Sequence, residues 1–170
     1  TKLKDAEKSG TLPKVLIPVH FAGQSAAMDK IGALAKRYGI RVIEDASHAI
    51  GASYLGAPVG NCAYSDITVF SFHPVKIVTT AEGGIATTQD AELARKMELF
   101  RSHGVTRDPA SLSGEDLDGP WAYEQVDLGY NYRMTELQAA LGVSQMTRLA
   151  EFVERRNQLA TRYDTLLADV

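Results

Sequence analysis

Short apolar runs punctuate the chain, and longer stretches with helical periodicity lie between and after them. VLIPV at 15–19 is continuously apolar rather than alternating, which predicts a strand covered on both faces, as in a parallel sheet. RVIED at 41–45 is a second apolar strand that ends in acid, ITVFSF at 67–72 a third, and GIATT at 84–88 a fourth. Between the first two, Met28, Ile31, Leu34, Ala35 and Tyr38 recur at helical spacing over 26–38. Gly39 stands where a helix C-terminus favours a left-handed residue. Strand, helix, strand predicts a βαβ unit with a parallel, right-handed connection. Residues 90–101 predict a helix with Asp90 near its start and Leu93, Met97 and Phe100 on one face. Two further helical patterns cover 134–147 and 148–168, and residues 1–10 read as an exposed helical end closed by Gly10. The stretches 46–65 and 73–83 are irregular. Residues 102–129 are polar and carry Gly104, Pro109, Gly114, Gly119 and Pro120; a loop of that length is uncommon in a compact domain unless it is functional.

Composition narrows the class. The chain has 170 residues, 45% hydrophobic and 23% charged, the balance of a globular domain or a piece of a larger one. A net charge of −3 without a basic stripe argues against nucleic acid as a partner. The single cysteine, Cys62, excludes an internal disulfide and points to a reducing, cytoplasmic compartment. No apolar stretch reaches the roughly 18 residues of a membrane span, and TKLKDAEKSG lacks the apolar core of a signal peptide.

In open α/β sheets ligands bind beyond the carboxyl ends of the strands. His20 follows the first strand, Asp45 closes the second, and Ser71 and Lys76 follow the third. A lysine and a carboxylate so placed suit pyridoxal 5'-phosphate (PLP): the amine links to the cofactor aldehyde, and the carboxylate holds the pyridine nitrogen protonated. Ser71 is a candidate phosphate ligand, and His48 a candidate partner of the ring's phenolic oxygen. Plainer roles compete: a solvated lysine, an aspartate that caps or turns, a turn serine. Spacing alone leaves both open.

VIEDASHAIGA, SFHPVKIVTTAEGGIATT, LFRSHG and GYNYRMTELQAALG resemble, in order, the motifs of the DegT-type nucleotide-sugar aminotransferases, PLP enzymes of fold type I. The resemblance implies roles position by position. Lys76 matches the lysine that carries the cofactor, and Asp45 the carboxylate paired with its ring nitrogen. His48 falls where the family has Gln or His near the cofactor's oxygen, and Ser71 matches a phosphate-binding serine. Asn131 matches an asparagine that reaches the phosphate in the partner subunit, which implies a homodimer with shared active sites. The family's dehydratases carry His in place of the lysine, so Lys76 favours amino transfer. HFAG, SFHPVK and TTAEGG are most similar to the members of the pseudaminic-acid pathway, which aminate C4 of a UDP-linked 4-keto-6-deoxy-N-acetyl sugar with glutamate as donor.

The expected fold is therefore a partial large domain of a fold-type-I PLP-dependent transferase, a mostly parallel sheet flanked by helices. Residues 1–148 would form the C-terminal part of that domain, incomplete at its N-terminus, and 149–170 the start of a long helix leading to a small domain. No metal is expected. Competing readings are a non-catalytic fragment of such an enzyme, or another fold-type-I activity on a nucleotide sugar. His20, His73, Glu82, Arg101, His103, Arg133, Trp121 and Tyr123 receive no catalytic duty, Cys62 reads as an inert buried residue, and the apolar stripe of the last helix reads as core or interface.

Overall fold

The computed structural model describes residues 1–113 and 119–169. Gly114 of the predicted loop and Val170 of the predicted last segment lie outside the described residues. In chain order the elements are α1 (Lys2–Ser9), β1 (Val15–Leu16), α2 (Met28–Tyr38), β2 (Arg41–Asp45), β3 (Ser53–Tyr54), β4 (Ala57–Pro58), β5 (Ile67–Ser71), β6 (Gly84–Thr87), α3 (Ala91–Arg101), β7 (Val105–Thr106), β8 (Glu124–Gln125), α4 (Glu136–Met146) and α5 (Leu149–Leu166). They divide into two units, Thr1–Gln89 with Glu136–Val170, and Asp90–Thr135.

The first unit holds a four-stranded sheet in the order β1-β2-β5-β6. β1, β2 and β5 are parallel, and β6 runs antiparallel to β5. This is the expected mostly parallel sheet, with α2 as the crossover between β1 and β2. Met28 and Ala35 of α2 pack on Val42 of β2 with Ile40, and Leu16 and Ile31 surround them. Gly39 ends α2 at φ 65, and its N–H returns to the Ala35 carbonyl, as its position predicted. Gly84 permits the β5–β6 contact, because an added Cβ would lie 2.7 Å from the Phe70 carbonyl oxygen.

Two expectations are corrected in this unit. The strand predicted over 15–19 is regular only at Val15–Leu16. Pro18 has no N–H for the ladder, although its carbonyl accepts from Asp45 N at 2.9 Å and Val19 still pairs with Asp45. Nor is β1 covered on both faces: Val15, Ile17 and Val19 are exposed, because nothing among the described residues packs over that side.

In the second unit α3 begins at Asp90, whose carboxylate accepts from the N–H groups of Glu92 and Leu93 at 2.8 and 3.1 Å, a regular N-cap. The polar stretch after it is less irregular than its composition predicts. It contains the β7–β8 hairpin and a 3₁₀ turn over Pro109–Ser111. Hairpin pairing depends on which distant residues meet, and local polarity does not report that.

Met28 is 1% exposed at the centre of the α2–β2 contact. Met28→Ala should lower stability by about 2–5 kcal/mol through lost burial and the cavity left behind. Equilibrium urea unfolding measures this, and a loss below about 0.5 kcal/mol, the range of surface substitutions, would remove Met28 from the core.

Candidate active site

The parallel register pairs Ile43 with Ile67, Glu44 with Thr68 and Asp45 with Val69. Paired residues share a sheet face and neighbours along a strand alternate. Asp45, Val69 and Ser71 therefore face one side, and Glu44, Thr68 and Phe70 the other. β2 and β5 also end at the same edge, the carboxyl edge where such sheets hold ligands.

Beyond Asp45 the chain turns at once. Ser47 N–H donates to Asp45 Oδ1 at 3.0 Å, the side-chain turn that aspartate favours. The Ser47 hydroxyl and N–H hold the Asp45 carboxyl below its usual value. Charge on His48 and Lys76 acts in the same direction, against partial burial. The turn role and a role toward a ligand thus coexist in one carboxylate.

Lys76 stands on a loop closed over Phe72. Phe72 N donates to Gly83 O at 2.8 Å, while its carbonyl accepts from Thr80 N and from Thr79 Oγ1, both at 3.0 Å. Val78 and Thr80 are fully buried and anchor the loop's base. α4 braces it from behind: a Cβ on Gly142 would lie 2.9 Å from Thr80 Cγ2, so only glycine allows the helix this close. At the crest Lys76 N donates to His73 O at 3.0 Å. His73 N–H points to Ser71 Oγ at 3.4 Å, and His73 Nδ1 faces Val75 N–H at the same distance. His73 and Ser71 shape the loop that presents Lys76.

Lys76 and His48 line one cleft of about 710 Å³, together with Ser47, Gln24, and Arg156 and Asn157 of α5. α5 reaches it by close packing at Gly51, where an added Cβ would lie 2.8 Å from Val153. The lining contains two basic side chains, Lys76 and Arg156, and no acidic one, a balance suited to an anionic ligand. Gln24, Arg156 and Asn157 were missed by sequence reasoning. The signal lay in spacing: Val153, Arg156, Asn157 and Ala160 at i, i+3, i+4 and i+7 share one face of α5, beside the stripe read as core or interface. A second cleft of about 690 Å³ lies at the opposite strand ends. There Arg41 pairs with Asp66 at 2.6 Å, and none of the predicted site residues lines it.

Asn131 belongs to the second unit. Its backbone pairs with Ser102, Tyr130 N donates to Phe100 O at 2.8 Å, and His103 N donates to Tyr130 O at 2.9 Å. LFRSHG and GYNYR are thus two halves of one structure, and Asn131 is exposed on it.

Lys76 and His48 line the cleft; Asp45 and Ser71 close β2 and β5 at the same sheet edge without lining it. An amine, an ionised carboxylate, an imidazole and a hydroxyl are chemically suited to a phosphorylated pyridine aldehyde. Residues 2–170 match the DegT/DnrJ/EryC1/StrS aminotransferase family. The UDP-4-amino-4,6-dideoxy-N-acetyl-beta-L-altrosamine transaminase of Campylobacter jejuni is 41% identical over 162 residues, covering 95% of this chain and 39% of the relative. The Helicobacter pylori aminotransferase PseC, described as involved in the biosynthesis of pseudoaminic acid, matches with TM-score 0.83 at 35% identity, over 94% of this chain and 40% of that one. The PLP-form structure of Spr1654 from Streptococcus pneumoniae matches with TM-score 0.76 at 32% identity, over 91% of this chain and 41% of that one. The fold is thus that of part of the large domain of these transferases, and the chain spans about two fifths of the length of its relatives.

Asp45 offers a direct test of the turn. Its carboxyl is depressed in the folded state, so its contribution to stability is complete above the unfolded value of about 3.9 and is lost as pH falls through the folded value. Ser47→Ala removes the hydroxyl donor and should raise the Asp45 midpoint toward about 3.9, narrowing that acid window. Carbon-detected NMR titration reads the midpoint; no movement would show that the hydroxyl does not hold the charge.

Proposed function

The chain belongs to the DegT/DnrJ/EryC1/StrS aminotransferase family, and on that premise we propose that its protein moves an amino group from glutamate to a keto sugar carried on a nucleotide, with PLP as cofactor. The observation that carries this reading is the meeting of Lys76 and His48 in one cleft with the ionised Asp45 beside them. The names of the Campylobacter and Helicobacter relatives, with HFAG, SFHPVK and TTAEGG in this chain, support a UDP-linked 4-keto-6-deoxy-N-acetyl sugar as the acceptor.

Bound at this edge, PLP would supply an electron sink for the charge left when a C–H bond beside nitrogen loses its proton. The residues of the chain do the rest. Asp45 keeps a proton on the ring nitrogen, because its negative charge favours the positive form of its partner. Lys76 would anchor the cofactor through Nζ, and as a free amine Nζ would take the proton from the donor's C–H bond and deliver it to the cofactor's aldehyde carbon. His48 meets the ring's phenolic oxygen, and Ser71 holds phosphate. Arg156 gives the cleft a fixed positive charge for donor carboxylate or nucleotide phosphate. Asn131 serves the phosphate in the neighbouring subunit of a two-fold homodimer, which makes that dimer obligatory for activity. Residues 1–148 then form part of the large domain, 149–170 lead toward a small domain, and the protein works in the cytoplasm.

The length ratio to the relatives favours one further reading for the isolated chain: that it binds cofactor without turnover. Adding PLP and then glutamate, and following the visible absorbance, separates the two, since only a competent site bleaches with glutamate.

In the full-length protein, Lys76→Ala should lower kcat by more than about 10²-fold and remove the pyridoxyl mass that borohydride fixes on the Lys76 peptide; a mark on another lysine would reassign the anchor. Asp45→Asn keeps the shape and the turn acceptor but loses the charge. It should lower kcat by at least about 10²-fold with little change in KM, and near-wild-type turnover would remove Asp45 from the reaction.

A further inference from the structure

Behind the site lies a buried polar network that the proposed chemistry does not use. His20 is 1% exposed and Glu44 5%, and His20 Nε2 lies 2.7 Å from Glu44 Oε2. His20 Nδ1 faces the backbone N–H of Ala26 at 3.1 Å and must accept there. Its ring proton is therefore on Nε2, which donates to the carboxylate. Glu44 Oε1 accepts from Thr68 Oγ1 at 3.1 Å and from Ser65 Oγ. Among the described residues no buried side-chain nitrogen or oxygen lacks a partner.

His20 also fixes backbone. Its N–H donates to Asp45 O at 3.0 Å, so one residue clamps the end of β2, the Glu44 side chain and the amide of Ala26. The chain between His20 and Ala26 carries the 3₁₀ turn Phe21–Gly23, and every residue of that turn meets His48. Ala22 N–H points at His48 Nδ1 from 3.3 Å. The Phe21 ring meets the imidazole edge-on at 6.0 Å. Gly23 lies so close that an added Cβ would sit 3.1 Å from His48 O. Ala22 holds a left-handed backbone at φ 53, a conformation that alanine keeps only where its surroundings over-determine it.

We propose that the buried His20–Glu44 pair is a positioning device: by clamping the 20–26 turn it holds Ala22 N–H against His48 Nδ1 and fixes His48 as the tautomer with its proton on Nε2. His48 then presents a donor, the form that suits an ionised phenolic oxygen. The consequence for turnover rests on the role proposed above for His48; the tautomer does not.

The experiment uses full-length protein with ¹⁵N-labelled histidine at about pH 8, above the ordinary imidazole value of about 6.5. Long-range nitrogen–proton NMR of the cofactor-free form should find the proton on Nε2 of both His48 and His20; a proton on Nδ1 of His48 overturns the proposal. His20→Phe keeps a flat ring but removes both side-chain hydrogen bonds. It should relax His48 toward a mixture of tautomers and, in the PLP-loaded protein, lower kcat about 10–100-fold, the usual effect of losing an orienting partner. Glu44→Gln can turn its carbonyl to His20 and its amide to the two hydroxyls, so it should retain the wild-type His48 signal. Should His20→Phe fail to fold, Gly23→Ala displaces the turn and leaves the buried pair intact; it too should loosen the His48 tautomer. Lost turnover with an unchanged His48 signal would reduce the pair to structural support and overturn the positioning role. A changed tautomer with unchanged turnover would uphold the positioning and instead remove His48 from the reaction.

Discussion

The register between β2 and β5 is the constraint on which the site depends. Side chains alternate along a strand, so a slip of one residue would exchange the faces of Glu44 and Asp45. Glu44 would then share the face of Val69 and Ser71, and Asp45 would turn to the packed side with Thr68 and Phe70. Polar contacts at both ends of β2 oppose that slip. At its start Asp66 takes Arg41 at 2.6 Å and the Val42 N–H at 2.7 Å. At its end Glu44 gathers His20, Ser65 and Thr68. A slipped strand would leave the buried Glu44, His20 and Thr68 side chains without partners, a cost that a buried polar group always carries.

Two adjacent acids are thereby sent to different work. Glu44 is buried, accepts from three side chains and is a structural tie. Asp45 is half-buried at the sheet edge, ionised through Ser47, and in electrostatic reach of Lys76 and His48. One peptide unit separates them, yet the sheet between the two faces gives each its own surroundings. The Lys76 loop follows the same logic. Its base is buried at Val78 and Thr80 and braced by α4, while its crest stays open to the cleft. A rigid base under an accessible amine is what positioning chemistry requires.

Much of this was legible in the chain. The four apolar runs are the four strands of the sheet, and the helical spacing located α2, α3, α4 and α5 to within two residues at most boundaries. Gly39, Gly10 and Asp90 act at the helix ends where their chemistry predicts. What escaped was tertiary. The exposed side of β1, the antiparallel course of β6 and the β7–β8 hairpin depend on neighbours distant in sequence, to which local periodicity is blind. Glu44 escaped for a related reason. In RVIED the terminal acid sits at the strand end where ligands bind, and only the register with β5 shows that the preceding one is buried against Thr68. Arg156 and Asn157 escaped because a charged flank on an amphipathic helix ordinarily faces solvent.

The pairing inside the second unit explains why LFRSHG and GYNYR belong together although about 25 residues of unlike composition separate them. Gly104 at φ 70 turns the chain after α3 against Asp127, and Gly129 closes on Gly104 and Phe100 so tightly that a side chain at either position would collide with backbone. The returning strand is then held by hydrogen bonds from Tyr130 and Tyr132 to the end of α3. Tyr130 and Tyr132 stack at 5.2 Å, and because neighbours alternate in extended chain, Asn131 is turned the other way with its backbone fixed. An exposed amide on a fixed backbone is poor material for a core and good material for a contact outside its own unit. The strict glycine requirement beneath it is therefore of one piece with the proposed role of Asn131 across a subunit boundary: the two motifs build a mount, and the asparagine is what the mount carries.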